Sequence, residues 1–178
     1  FHRAAMSSDT SDSDHRAYTG VVPFPEEMTL RPLARVVSPY LQRHGTPRQP
    51  GFAGAKEHLE GLGEIHLLDG FDPLLFQDLD GFERIWLVSF MHLNRAFGRP
   101  TVRPPRGGSK RGLLATRAPH RPNPIALSCV ELLAVKGPVL QVRGLDLLND
   151  TPVLDIKPYI GAFDAFPESK IGWLEGLL

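Results

Sequence analysis

One cysteine, Cys129, in 178 residues excludes a disulfide within the chain and a multi-cysteine zinc site. That scarcity fits a reducing compartment. No apolar run nears the roughly 20 residues that cross a bilayer as a helix. The N-terminus also lacks the apolar stretch of a secretory signal, so a cytoplasmic protein with no membrane partner is expected. Net charge is missing as well. Lys and Arg number 20 and Asp and Glu number 20, which excludes a uniformly basic nucleic-acid coat and an acidic solvating tail. There is no Gly-x-Ser-x-Gly elbow, no Gly-x-Gly-x-x-Gly turn and no His-Glu-x-x-His. The seven histidines show no ligand spacing, so no metal site is expected.

Turn-forming residues are plentiful. With 17 Gly and 17 Pro, the two types make up about 19% of the chain against the usual ~12%, which disfavours a helical bundle. Residues 1–29 read as a disordered leader: Ser7–Asp14 is small and polar with nothing to bury. Phe1–Ala5, ahead of Met6, have the look of vector-derived residues and carry no weight in the fold reading. An ordered domain is expected over 30–164, with a tail over 165–178.

Within that domain, strands are predicted over Leu33–Val37, Glu64–Leu68, Arg84–Leu93, Leu113–Thr116, Ile125–Val135, Val139–Leu147 and Val153–Tyr159. The Arg84–Leu93 run is almost continuously apolar and is expected to be buried on most of both faces. Asp72-Pro73 opens a helix that Gly81 ends, and residues 97–112 form a long basic loop. Many strands, one helix and no βαβ alternation predict a mainly β protein: a small antiparallel β-barrel with one or two short helices and no Rossmann fold.

The neutral total hides a segregation. Between Glu83 and Glu131 lie 47 positions with no acidic residue and nine basic ones. Arginines in loops offer planar forks to phosphates, so this stretch reads as a docking surface for a polyanion, RNA above all. Solvated arginines paired with acids elsewhere in the fold would look the same. Prolines interrupt the stretch too often for a DNA-reading helix. A second pattern overlaps it. Pro-flanked polar clusters interrupt the strands at Pro47-Arg48-Gln49-Pro50, Arg117–Pro124, Asp150-Thr151-Pro152 and Asp155–Tyr159. Proline belongs at corners and edges of sheets, and its fixed φ lowers the cost of holding a loop in a binding shape. The polar side chains suit a purine edge, a ribose diol or an α-amino acid, so the clusters point to a small-molecule pocket made from loops.

These same residues resemble a known family. Ser38-Pro39-Tyr40, Pro47–Gly51, Arg99–Pro105, Ala115–Ile125 and the run from Asp146 through Asp155-Ile-Lys-Pro-Tyr159 are similar to the TrmO (TsaA-type, YaeB-like) family of S-adenosylmethionine-dependent tRNA methyltransferases. The resemblance runs from about Leu33 to Asp164. It implies a β-barrel enzyme that methylates N6 of threonylcarbamoyl-adenosine beside the tRNA anticodon, as a homodimer with the cofactor near the subunit interface. It implies cofactor contacts at Pro47, Arg48, Gln49, His92, Leu93, Arg117, Leu127, Asn149, Asp150, Thr151 and Pro152. Longer members carry a second, C-terminal domain associated with tRNA.

The attacking N6 is conjugated to adenine and to the carbamoyl group, so a base is useful; Asp155, Tyr159 and His92 are candidates. Lys157 is placed to polarise the carbamoyl oxygen or to hold a phosphate, although Asp155 and Lys157, two apart on one strand face, also read as a plain ion pair. The family commonly has Gly where this chain has Ala126, and Asp-Gly where it has Asn149-Asp150. Asp accepts positive φ less readily than Gly but more readily than most residues. A non-catalytic RNA- or nucleotide-binding barrel fits the basic stretch equally well, and a methyltransferase with another acceptor fits the clusters.

Overall fold

The computed structural model describes residues 24–47, 61–94, 97–105 and 108–177. Residues 1–23 of the expected leader lie outside them. In chain order the strands are β1 (Ala34–Val37), β2 (Gly63–Leu67), β3 (Arg84–Phe90), β4 (Thr101–Val102), β5 (Arg111–Gly112), β6 (Ile125–Lys136), β7 (Val139–Arg143) and β8 (Pro152–Pro158), followed by a single-turn helix α1 (Gly161–Asp164). Six of them close a barrel in the order β1-β2-β7-β6-β3-β8, and every neighbouring pair is antiparallel. This is the expected architecture.

Period-two alternation sets the inside and outside of the barrel. On β3, Ile85, Leu87 and Ser89 are fully buried, while Arg84 and Phe90 are exposed. The apolar run at 84–93 is therefore buried on one face, not on most of both. Val88 and Trp86 lie on the outer face, only partly covered. The core gathers Val36, Ile65, Ile85, Leu87, Val130, Leu140, Val142 and Val153 from all six barrel strands. Two bulges help to curl the sheet: Leu154 is the extra residue against Val88/Ser89, and Leu133 against Val142/Gln141.

Three local expectations need correction. The expected helix after Asp72 is two short 3-10 turns, Pro73–Phe76 and Leu79–Gly81, although Asp72 does cap it by accepting from the Leu74 amide at 2.9 Å. Asp78 between the turns takes φ of 62°, which no continuous helix allows. Leu113–Ala115 is a 3-10 turn, not a strand: the Thr116 amide and hydroxyl both donate to the Leu113 carbonyl and close it. The 97–112 loop contains the small β4–β5 hairpin, outside the barrel. No helix among the described residues is long and apolar enough to cross a membrane.

Candidate active site

In an antiparallel barrel, alternate strand ends share a mouth. One mouth collects the ends of β1, β3 and β7 and the starts of β2, β6 and β8. It therefore receives the Pro-containing connection after β1, His92 and Leu93 after β3, the turn running into β6, and the Asn149–Pro152 turn entering β8. The sequence scatters these residues over about a hundred positions; closure of the sheet brings them to one end.

The turn into β8 is tied to β1. Asp150 N–H donates to the Val36 carbonyl at 2.8 Å, Val36 N–H donates to the Thr151 carbonyl at 3.0 Å, and Asn149 N–H donates to the Tyr40 carbonyl at 2.8 Å. Asn149 Oδ1 accepts the Ser38 amide at 3.1 Å, and its Nδ2 donates to Asp150 Oδ2 at 2.8 Å. Asp150 takes φ of 59°, the left-handed conformation that a glycine would adopt freely. Thr151 is buried. The opposite wall is the turn before β6. Thr116 Oγ1 donates to the Leu113 carbonyl and accepts from the Ala118 amide, and Arg121 Nη1 donates to the Thr116 carbonyl at 2.8 Å. Arg121 thus braces the turn that carries Arg117. Met91 N–H reaches the Pro124 carbonyl at 2.8 Å, joining this turn to the His92-Leu93 segment.

Beneath lies Asp146, which the sequence reading left without a role. Its carboxylate accepts from Ser128 Oγ at 2.6 Å, and Ser128 is itself fully buried on the inner face of β6. Burial raises the Asp146 carboxyl above its ordinary value, while the Ser128 hydrogen bond, its own backbone amide and the Arg117 guanidinium pull the other way. Arg117 is thus within electrostatic reach of a buried carboxylate. The Tyr40 phenol is raised by burial, with the nearby Asp146 charge adding to it. Ser89, on the inner row with Ala126 and Val153, holds a buried hydroxyl with no hydrogen-bond partner among the described residues.

The other candidates are placed less tightly. Pro47 is half-buried in the β1–β2 connection, and Arg48 and Gln49 lie outside the described residues. Leu93 and Leu127 are 65% and 59% exposed, large apolar side chains left uncovered at the mouth. Leu127, Val88 and Asp155 form one row across the outer face. Lys157 is one row further from the mouth, beside Trp86, with its Nζ 2.8 Å from Asp155 Oδ2. Tyr159 is further still: its amide donates to Arg84, at the far end of β3, and its ring lies 5.8 Å from that of Trp86. The structure thus gathers the turn residues, Arg117, His92, Leu93 and Leu127 at one mouth. It lines Asp155, Lys157 and Tyr159 along a strand leading away from it.

The donor set suits a molecule carrying an α-amino acid and a purine nucleoside. Arg117 offers a fork for a carboxylate, Asp146 and Asp150 offer negative charge for a cation, and Leu93 and Leu127 offer apolar faces for a base. The Ser89 hydroxyl lies buried on the inner face of the barrel near the same end.

Comparison with known proteins agrees with this architecture. The family profile of the tRNA-methyltransferase O N-terminal domain matches residues 35–165. A tRNA (adenine(37)-N6)-methyltransferase from Escherichia coli is 36% identical over 146 residues, covering 78% of this chain and 60% of that protein. A Pyrococcus abyssi protein described as a probable S-adenosyl-L-methionine-binding protein is 40% identical over 152 residues, covering 85% of this chain and 78% of its own. The crystal structure of TrmO from Pseudomonas aeruginosa superimposes with a TM-score of 0.66 at 31% identity, over 82% of this chain and 62% of that one. The chain spans about three fifths of the E. coli and P. aeruginosa proteins.

Proposed function

The chain belongs to the TrmO family, and from that membership we propose that it is an S-adenosylmethionine-dependent methyltransferase acting on N6 of threonylcarbamoyl-adenosine next to the tRNA anticodon. The observation that carries the reading is the gathering of Arg117, His92, Leu93, Leu127 and the Asn149–Pro152 turn at one barrel mouth, over a buried Asp146–Ser128 pair.

Arg117 would hold the cofactor's carboxylate, Leu93 and Leu127 would flank its adenine, and the Asn149–Pro152 turn would present backbone groups and the Asp150 carboxylate to its polar end. When bound, the cofactor supplies an electrophilic methyl on a positively charged sulfur. The protein's part is alignment and exclusion of water, since this transfer needs no metal. The chain would have to supply a base that takes the N6 proton as the methyl is transferred. Among the candidate bases, His92 stands at the mouth and Asp155 one strand away, in the same outer row as Leu127. Lys157 fixes Asp155 by its ion pair and is placed to meet a phosphate or the carbamoyl oxygen.

The assembly in this reading is a homodimer in the cytoplasm, with the cofactor near the subunit interface and RNA, not DNA, as the partner. What supports the dimer is an apolar outer face beside the mouth. Phe90 and Ile125, 38% and 40% exposed, pair across β3 and β6, with Leu127 next to them. Incubation with S-adenosylmethionine and tRNA, with and without the threonylcarbamoyl group, tests the activity by nucleoside mass spectrometry. A methyl on threonylcarbamoyl-adenosine alone is expected. Cofactor binding without methylated tRNA would point to another acceptor, and no binding at millimolar cofactor to a non-catalytic barrel. Arg117→Ala is expected to abolish cofactor binding in a protein that still melts cooperatively; unchanged affinity would remove Arg117 from the site.

A further inference from the structure

The chain holds two tryptophans, and the indole N–H of each ties the C-terminal segment to the body of the molecule. Trp86, on the outer face of β3, donates through Nε1 to Asp164 Oδ2 at 3.1 Å, and the Ile160 amide donates to the same oxygen at 2.8 Å. These bonds fix α1 against the barrel just past β8. Further along, Trp173 donates through Nε1 to the Ala115 carbonyl at 2.7 Å, across 58 positions of sequence. The Arg111 guanidinium, on the β4–β5 hairpin, lies 5.5 Å from the centre of the Trp173 ring. Its Nε is buried with no hydrogen-bond partner among the described residues, and an electron-rich indole face suits such a cation. The Ala115 carbonyl belongs to the same peptide as the Thr116 amide, which donates to the Leu113 carbonyl at 3.1 Å. The next carbonyl, that of Thr116, accepts from Arg121 Nη1 at 2.8 Å. The two peptides leading into Arg117 are thus both held, the first of them from both edges. Leu113 and Arg121 are near in sequence; Trp173 brings the hold of a distant segment.

We infer that Trp173 is a positioning residue for cofactor binding: its indole N–H, docked on the Ala115 carbonyl, sets the backbone of the turn that carries Arg117, so that the C-terminal segment acts as a clasp on the binding site. The inference rests on the cofactor reading above. A turn rich in loop residues samples several backbone arrangements, and fixing one before the ligand arrives removes part of the ordering cost of binding. The coupling is reciprocal. If docking of the segment favours the cofactor, the bound cofactor must favour docking by the same factor. The hydrogen bond is the link to the turn, while the ring face serves Arg111 on the hairpin beside it.

The test joins calorimetric titration of the full chain with S-adenosylmethionine to amide hydrogen exchange over residues 165–177. Trp173→Ala should bind the cofactor about tenfold more weakly, the worth of one well-placed hydrogen bond. Trp173→Phe keeps an aromatic ring beside Arg111 and loses the donor, so it should remain several-fold weaker than the unaltered protein. Both variants should still melt cooperatively. In the unaltered protein, saturating cofactor should slow exchange in the segment by a factor comparable to the affinity lost in Trp173→Ala, a change that a merely structural contact would not show. Full affinity in Trp173→Phe would overturn the inference while leaving the cofactor reading intact. So would exchange in the segment that is the same with and without bound cofactor, a result that needs no variant to fold. No binding by the unaltered protein at millimolar cofactor would overturn the cofactor reading and this inference together.

Discussion

Asp150 shows how much one backbone angle carries at the residue scale. It sits at φ of 59° with no glycine's freedom, held there by its N–H donating to the Val36 carbonyl, by the Asn149 side chain and by a 3.4 Å contact to Arg35. Asp tolerates this region because its short polar side chain bonds locally; alanine has no such compensation. Asp150→Ala is therefore expected to lower stability by about 1 kcal/mol, while Asp150→Gly should be neutral or slightly stabilising because relief of the left-handed conformation offsets the added freedom of the unfolded chain. Thermal denaturation of the pair checks this, and equal losses would show that the Arg35 and Asn149 contacts, not the backbone angle, dominate. The turn itself was legible, since Asn-Asp-Thr-Pro reads as a turn in any β protein. Asp146 was not. An aspartate between Leu145 and Leu147 looks like the polar position of an alternating strand, and only closure of the barrel puts it against Ser128 eighteen residues away. Lys157 and Asp155, two apart on one strand, were legible as a pair and stand 2.8 Å apart.

Elements were legible where alternation or a cap specifies them, and blurred where tertiary closure does. β6 and β8 fall within a residue or so of the expected limits because prolines and turns bracket them. β7 stops at Arg143, four residues short of expectation, because the following segment leaves the ladder to form the strap across the mouth. Nothing local in Gly144–Leu147 announces that departure. The reason lies in Gly61 and Gly63. A Cβ on Gly61 would come within 2.8 Å of the Leu145 nitrogen, and one on Gly63 within 2.7 Å of Leu145 Cδ2 and 2.8 Å of the Val37 carbonyl. These two glycines let the strap press onto β2. Gly61 also takes φ of 64°, so Gly61→Ala combines a backbone clash with an unfavourable conformation. A loss of about 2–3 kcal/mol is expected from chemical denaturation. The strap runs into the Asn149–Pro152 turn of the candidate site, so cofactor affinity should fall in the same variant. A variant that loses stability yet binds the cofactor normally would separate the strap's packing from its part in the site.

At the scale of the whole molecule, charge is segregated along the chain. In the proposed reading the barrel mouth takes a small ligand, and the middle of the acid-free stretch between Glu83 and Glu131, the β4–β5 hairpin and its flanking turns, joins the end of β3 to the start of β6 at that mouth. The C-terminal segment braces this region. Trp173 Nε1 donates to the Ala115 carbonyl at 2.7 Å, and the Arg111 guanidinium lies 5.5 Å from the centre of its ring. The tail thus docks on the same chain's basic connection, close to the turn that carries Arg117. Arg99, Arg103 and Lys110 remain exposed on that connection. If tRNA lies there, its affinity depends on counterions released from the phosphates these residues neutralise. Arg103→Ala and Lys110→Ala should each weaken binding of any tRNA to a similar degree and lower the slope of log affinity against log salt by about one. Cofactor titrations should be unchanged in both, because neither side chain belongs to the mouth. Filter binding across a salt series, with modified and unmodified tRNA side by side, measures the slope directly. A slope that survives both substitutions would place the RNA on another face of the barrel, and the segregation of charge along the sequence would then reflect solvation of a loop.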